Sequence, residues 1–198
     1  MALIDNFNSY SDGDLNGQGS WSGSTLFDVE GTTVQEGTKA VSNVSATGGE
    51  IAKGFTIQAN GVQRFYIRQV DGTLADNSGT FQLKEGATVI VQLFRWSTSN
   101  GSDLRYQTGA STYTNFGTLT SGNWFYVDIE WRSSDKYIRY SFNGGAFTSW
   151  VAPVNNFTSG IDTVVLQRYN AGTGETNFDN FTDQTPATAN TSNFFPFI

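Results

Sequence analysis

The stretch from Trp124 to Trp150, WFYVDIEWRSSDKYIRYSFNGGAFTSW, constrains the fold more than any other part of the chain. Apolar and polar residues alternate from Phe125 to Arg132, which predicts a strand buried on one face only. The alternation returns from Tyr137 to Phe142 after a polar turn. Asn143-Gly144-Gly145 then supplies the residues of a tight hairpin turn, and Ala146 to Trp150 is predicted as a third strand. The stretch therefore predicts an antiparallel meander.

The rest of the chain has the same character. Short apolar segments alternate with turns rich in Gly, Asn, Asp and Ser, and we count about a dozen predicted strands at the spacing typical of an all-β sandwich. The run from Thr88 to Trp96 is almost continuously apolar and predicts a central strand. One tripeptide occurs near both ends, as Asp5-Asn6-Phe7 and Asp179-Asn180-Phe181, and we expect these two segments to lie side by side.

We expect one domain over residues 1–183 and an extended tail over residues 184–198, because the 198 residues suffice for a single well-buried sandwich. The formal charge of −7 argues against nucleic acid and anionic membranes as partners, since both need a basic surface. The chain has no Cys and no His, which excludes disulfides, Cys nucleophiles and Ser-His-Asp catalysis. No segment has the ~20 apolar residues of a membrane span, so membrane insertion is not expected. The start of the chain shows no signal peptide.

Several short motifs, taken in order, resemble the concanavalin A-like, laminin G-like jelly-roll family. They are the first DNF, the segment SDGDLNGQGSW, the step GTKA, the hairpin VDIEWR with RYSFNGG, and the terminal FDNFT. The resemblance extends from Ile4 to Asp183. It implies an all-β fold, a jelly-roll β-sandwich of two stacked antiparallel sheets. The family includes lectins, glycoside hydrolases, polysaccharide lyases and virion surface proteins, so the fold alone does not select a function.

Asp128 and Glu130 are the first candidate for chemistry. One strand step of two residues sets their backbones ~6.6 Å apart, and the paired acids of glycosidases lie within about 5 to 9.5 Å. The hydrolases of the family resemble Glu-x-Asp-x-x-Glu, however, and the third acid is absent here. The two acids could instead form ordinary ion pairs with Arg132 and Arg139 across the hairpin.

A calcium site is the second candidate, and it rests on the resemblance. Many members of the family hold a structural Ca²⁺ where the termini meet, and a cation of this kind prefers oxygen ligands. The matching residues here are Asp5, Gly37 and Asp179. In the alternative interpretation, Asp179 caps a turn or is solvated.

A glycan-binding face is the third candidate. Sugar sites combine aromatic platforms with planar polar side chains. Adjacent strands could supply both through Arg64, Tyr66, Arg68, Trp96, Tyr126 and Glu130.

The C-terminal residues Phe194, Phe195, Phe197 and Ile198 form an apolar end after a polar linker. Burial of such side chains is worth about 1.5 to 3 kcal/mol each, so their exposure would be costly. They could pack back on their own sandwich or dock on a neighbouring subunit.

Together these features favour a non-enzymatic module that coats or binds, at a virion or extracellular surface. It would assemble through its tail with neighbouring subunits or with a viral or cell-surface assembly, contact glycans and hold a structural Ca²⁺. In this interpretation no residue is catalytic. The alternative is a carbohydrate-active enzyme, a glycoside hydrolase that uses Asp128 and Glu130.

Overall fold

The computed structural model describes residues 2–43, 47–70, 78–98, 101–109, 111–168 and 174–184. These residues form fourteen strands, numbered β1 to β14 in chain order, and no helix. Within them, no helical segment meets the requirements of a membrane span.

Two antiparallel sheets of seven strands each make up the fold. The first sheet contains, from edge to edge, β1 (Gly13–Asp14), β3 (Asp28–Glu30), β4 (Ala40–Asn43), β14 (Glu175–Asp183), β6 (Asn60–Val70), β11 (Trp124–Arg132) and β12 (Tyr137–Phe142). The second contains β10 (Thr112–Leu119), β9 (Gly101–Thr108), β8 (Thr88–Thr98), β7 (Ser78–Glu85), β13 (Ile161–Arg168), β5 (Gly49–Gln58) and β2 (Ser22–Gly23). The predicted all-β, two-sheet antiparallel jelly-roll sandwich is confirmed.

The hairpin of β11 and β12 has the predicted register. Val127 lies opposite Phe142, and Trp131 lies opposite Ile138. The turn after β12 has positive φ angles at Asn143 (49°) and at Gly144 (77°), as a tight turn of the predicted kind requires.

The strand predicted from Ala146 to Trp150 is wrong. This segment runs beside β12, and the amide of Thr148 donates to the carbonyl of Tyr140 (2.8 Å), but the amide of Tyr140 donates to the side-chain Oγ1 of Thr148 (3.1 Å) instead of to a backbone carbonyl. Regular pairing is reduced to one bridge, between Ile138 and Val151. The side chains of the segment, including Phe147, therefore need not point alternately to the two faces of the sheet.

The two copies of the terminal tripeptide lie side by side, as predicted. The amide of Asp5 donates to the carbonyl of Phe181 (3.0 Å), and the amide of Phe181 donates to the carbonyl of Asp5 (2.8 Å). The pairing stays a single bridge. Phe7, two residues further on, has a φ of 58°, which takes the chain out of the extended conformation.

A stack of aromatic rings joins the sheets at the centre of the core. Phe65 of β6 stacks on Phe81 of β7 in the opposite sheet, with ring centroids 4.2 Å apart. Phe181 of β14 stacks on Phe65 at 5.5 Å. All three side chains are fully buried, so this stack couples the centre of one sheet to the centre of the other.

We expect Phe65→Ala to lower the free energy of unfolding by about 3 to 5 kcal/mol, because it leaves a cavity between the two sheets. Urea denaturation followed by tryptophan fluorescence measures the loss. Ile57→Ala is the control, since Ile57 is 43% exposed and its truncation should change stability by no more than about 0.5 kcal/mol. Equal losses in the two variants would contradict the central role of the stack.

Candidate functional site

The outer face of the first sheet carries an unusual concentration of charged and phenolic side chains. Along β11, Val127 and Ile129 belong to the core, so Tyr126, Asp128 and Glu130 point the other way. The neighbouring strands present matching partners on the same face. They place Arg64 of β6 opposite Asp128, Tyr66 of β6 opposite Tyr126, and Arg139 of β12 opposite Glu130.

Asp128 is held by a two-point ion pair. Nε of Arg64 donates to Oδ1 of Asp128 (2.7 Å), and Nη2 donates to Oδ2 (2.8 Å). The guanidinium also lies over the ring of Tyr126, 4.2 Å from its centroid. The hydrogen bond to Asp128 raises the pKa of Arg64, so the guanidinium stays charged. Asp128 is only 5% exposed, and both of its oxygens are occupied by one rigid partner.

Glu130 is held at one oxygen only. Nε and Nη2 of Arg139 both lie 2.6 Å from Oε2 of Glu130. Oε1 accepts no hydrogen bond from the part of the chain that the structure describes. Arg139 is in turn packed against Phe147 and Trp150, with its guanidinium carbon 4.6 and 4.5 Å from the two ring centroids. Glu130 therefore has a fixed orientation and one oxygen that is not committed to the protein.

These side chains surround a cleft of about 240 Å³. Its lining consists of Val62, Arg64, Asp128, Glu130, Arg139, Phe147 and Gln184. Sequence reasoning missed Phe147, because its segment was predicted as a strand. It also missed Gln184, whose amide donates to the carbonyl of Val62 (2.9 Å) and which carries no motif.

The structure divides the set of predicted glycan-binding residues. Five of them lie on β6 and β11 and point to the outer face of the first sheet: Arg64, Tyr66, Arg68, Tyr126 and Glu130. Trp96 lies on β8 of the other sheet and does not reach this face.

Arg68 lies on the outer face but is occupied by protein partners. Its Nε donates to the carbonyl of Gly122 (2.9 Å), and Nη1 donates to Oδ1 of Asn177 (2.9 Å). Trp96, on the second sheet, is covered by the guanidinium of Arg105 at 4.5 Å.

Tyr66 lies between Tyr126 and Asp179 on this face. Burial raises its pKa, and the negative charge of Glu36 adds to the effect. The phenol is therefore protonated at neutral pH, as a hydrogen-bond donor must be. A lyase would need a base that gives up its proton readily, so this environment disfavours that chemistry at Tyr66.

The residues named for calcium do not fit a calcium site as they are arranged. Oδ2 of Asp5 accepts hydrogen bonds from Lys53 (2.8 Å), Trp21 (2.8 Å) and Tyr10 (2.7 Å), so a protein cation already balances its charge. Burial opposes the charged form of Lys53, but the hydrogen bonds to Asp5 and Tyr10 outweigh burial and raise the pKa of Lys53.

Asp179 is also fully committed. Its Oδ2 accepts the backbone amides of Gln35 (2.9 Å) and Glu36 (3.0 Å), and its Oδ1 accepts the amide of Asn180 (2.7 Å). Gly37 packs against the side chain of Asn8. No group of three or more acidic side chains that could hold a metal ion occurs among the described residues. Calcium binding thus stays a prediction, without ligands that support it here.

The predicted docking residues Phe194, Phe195, Phe197 and Ile198 lie outside the described residues. The last strand ends at Asp183. The division into a domain and a tail, the docking of the tail on neighbouring subunits and the location at a virion or extracellular surface all stay predictions.

Several solved structures are similar to this chain. A sialidase matches 94% of the chain with a TM-score of 0.70 and 11% identity, but the chain spans only 18% of that protein. The catalytic domain of a glycoside hydrolase family 131 protein from Coprinopsis cinerea matches 94% of the chain and 95% of its own length, with a TM-score of 0.62 and 16% identity. The fold is a concanavalin A-like jelly roll.

A β-glucanase from Bacillus licheniformis matches 92% of the chain and 96% of its own length, with a TM-score of 0.55 and 11% identity. No protein-family model matches the sequence. No curated protein matches it either.

These neighbours overturn one prediction. All three bear the names of enzymes, and two of them are glycan hydrolases by name. Our preferred interpretation, a non-enzymatic virion or surface module, is therefore wrong, and the alternative of a carbohydrate-active enzyme is better supported. Identities of 11 to 16% show the fold alone, so the activity has to be argued from the site.

We expect the ion pair of Lys53 and Asp5 to stabilise the place where the termini meet, as a bound metal ion would. We expect Lys53→Met to lower the free energy of unfolding by about 3 to 5 kcal/mol, because it leaves a buried carboxylate without its cation. We expect neither CaCl₂ nor EDTA to move the unfolding temperature of the unmodified protein. Thermal denaturation in each solution measures both effects.

A rise in the unfolding temperature on adding calcium would contradict this expectation and support the calcium prediction. Lys84→Met is the matched control, because Lys84 makes only a 3.9 Å contact with the exposed Glu50. Since the folded pKa of Lys53 is raised, the stabilisation is complete below its unfolded pKa of about 10.4 and is lost as the pH rises through the folded pKa. The difference between Lys53→Met and the unmodified protein should therefore shrink only at strongly alkaline pH.

Proposed function

We propose that this chain is a glycoside hydrolase whose substrate binds in the cleft on the outer face of the first sheet. One observation carries the proposal: Asp128 and Glu130 point from one strand into one cleft and are only 5% and 8% exposed. Paired acids in a partly desolvated cleft are the recurring machinery of glycoside hydrolysis. Their backbones are a two-residue step of ~6.6 Å apart, so side chains on the same face can bring the carboxyl groups within the range of about 5 to 9.5 Å that such pairs span.

Asp128 is suited to remain a carboxylate throughout the reaction. Arg64 occupies both of its oxygens, so a proton would have to displace a charged hydrogen bond. Cleavage of a glycosidic bond develops positive charge on the sugar ring. A fixed negative charge beside the ring stabilises that transition state, because it is already oriented and needs no rearrangement.

Glu130 is suited to move the proton. Glu130 is a carboxylate in its ion pair with Arg139, but its Oε1 has no donor from the described residues, so it can take up a proton there and pass that proton to the leaving oxygen. Arg139 at Oε2 stabilises the carboxylate that remains after the proton has left. The same carboxylate can then take a proton from the attacking water. The resemblance to three solved enzyme structures supports the fold that this arrangement requires, while the assignment of roles rests on the hydrogen bonds.

We expect Glu130→Gln to lower the rate of polysaccharide hydrolysis by about 10² to 10⁴-fold, the usual contribution of a general acid or base. Asp128→Asn should lower it to a comparable extent, because the amide has no charge to oppose that of the sugar ring. Release of reducing ends from a panel of soluble polysaccharides, measured against pH, gives the rates. The unmodified protein must first hydrolyse at least one of them.

Glu50→Gln serves as the matched control, since Glu50 is an exposed acid on the second sheet. It should retain full activity. Circular dichroism and thermal denaturation of each variant separate loss of chemistry from loss of fold. Full activity in Glu130→Gln, or no hydrolysis of any glycan by the unmodified protein, would overturn the proposal.

A further inference from the structure

We infer that the cleft takes an uncharged polysaccharide and rejects polymers of uronic acids or sulfated sugars. This inference rests on the proposed function, because it names the substrate class of the same site. It follows from what the arginines of the outer face already do. An anionic sugar needs a cation with free hydrogen-bond donors, usually a guanidinium that grips the carboxylate at two points.

The two arginines that line the cleft are both neutralised by acids of the protein. Arg64 donates two hydrogen bonds to the carboxylate of Asp128, and two nitrogens of Arg139 lie against one oxygen of Glu130. Each guanidinium is also covered on a flat side by an aromatic ring, Tyr126 for Arg64 and Phe147 for Arg139. No lysine belongs to the described lining of the cleft. A bound carboxylate would therefore have to break an existing ion pair.

The two remaining arginines of this face are no better placed. Arg68 donates to Asn177 and lies 3.8 Å from Glu175. Arg132 pairs with Asp135 and stacks on Trp150 at 3.7 Å. On the described part of this face, every arginine thus has an acidic partner.

Among the described residues, acidic side chains also outnumber basic ones on this outer face. The acidic side chains that interact with its arginines, with Asn177 or with Tyr66 are Glu30, Glu36, Asp128, Glu130 and Glu175. With Asp135, the partner of Arg132, they make six acids against the four guanidiniums of Arg64, Arg68, Arg132 and Arg139. The whole chain carries a formal charge of −7, so its long-range field also repels an anionic polymer.

The face does offer what uncharged sugars need. Tyr66 and Tyr126 lie side by side, with ring centroids 5.7 Å apart, and neither hydroxyl bonds to another described residue. Tyr66 can present a flat ring to a sugar face, while Tyr126, which has one ring face against Arg64, offers its hydroxyl, and a phenol hydroxyl both donates and accepts. Phe147 and Gln184 add one more ring and one amide at the cleft. This is a recognition set for hydroxyl groups and not for charges.

Binding of the unmodified protein to polysaccharides in affinity gel electrophoresis at 4 °C tests the inference, since the cold slows hydrolysis and both ion pairs of the cleft stay intact. The neutral probes are a linear β-1,3-1,4-glucan and a β-1,4-xylan, and the anionic probes are polygalacturonate and alginate. We expect at least tenfold tighter binding to one of the neutral chains than to either anionic chain in low salt. Tighter binding to an anionic chain, or binding to none of the four, would overturn the inference.

A second pair of variants tests the cause. Asp128→Asn releases Arg64 in the cleft, and we expect it to gain at least threefold in affinity for polygalacturonate, a gain that 0.5 M NaCl abolishes. Asp103→Asn is the matched control, because it releases Arg105 from a 2.8 Å ion pair on the other sheet. An equal gain in both variants, or no gain in Asp128→Asn, would contradict the role of the cleft arginine.

The outcomes separate this inference from the proposed function. Neutral chains that are bound but never hydrolysed by the unmodified protein would uphold the substrate class and overturn the enzyme. Hydrolysis of an anionic chain that Glu130→Gln no longer cleaves would uphold the enzyme and overturn the substrate class.

Discussion

The stacking of Phe65 on Phe81 is the contact on which the rest of the molecule depends. Phe65 lies in β6, and β6 occupies the inner part of the first sheet between β14 and β11. Because side chains alternate along a strand, an inward Phe65 obliges Arg64 and Tyr66 to point outward. The packing of the core thus places the polar groove on the opposite face of the same strand. A slip of one residue in β6 would exchange the two sets and destroy both the core and the groove.

The groove itself is organised by paired charges. Carboxylates as buried as Asp128 and Glu130 lose much of their hydration, and a guanidinium across the strand compensates for it. The guanidiniums are positioned in turn by aromatic rings, Tyr126 for Arg64 and Trp150 for Arg139. Each acid therefore has one orientation before any substrate arrives, which is the condition under which electrostatic catalysis is effective. The same pairing removes the free cations that an anionic substrate would need, so catalytic geometry and substrate class have a common cause.

Much of this arrangement can be read from local sequence, and the errors come from non-local contacts. The hairpin of β11 and β12 and the shared face of Asp128 and Glu130 follow from alternation alone. The sequence analysis groups Trp96 with the glycan-binding residues as if their strands were adjacent, but the strand of Trp96 lies in the other sheet. The sequence pattern predicts a strand at Phe147. In the structure, the amide of Tyr140 donates to the side chain of Thr148, and the segment does not form a regular strand. The non-enzymatic interpretation relied on the absence of the third acid of the family motif. That absence does not show whether the two acids that are present form a site.

The sequence by itself determined the period of each strand and hence which residues share a face, because a pleated backbone leaves no other choice once apolar residues alternate. It also determined that no histidine or cysteine could take part. Only the tertiary structure decided which strands are neighbours. Arg64 and Asp128 are 64 residues apart, and Gln63 and Thr182 are 119 apart, yet each pair shares a hydrogen bond. Such contacts depend on the order of strands in the sheet, which is set by the packing of the whole core and not by any local pattern.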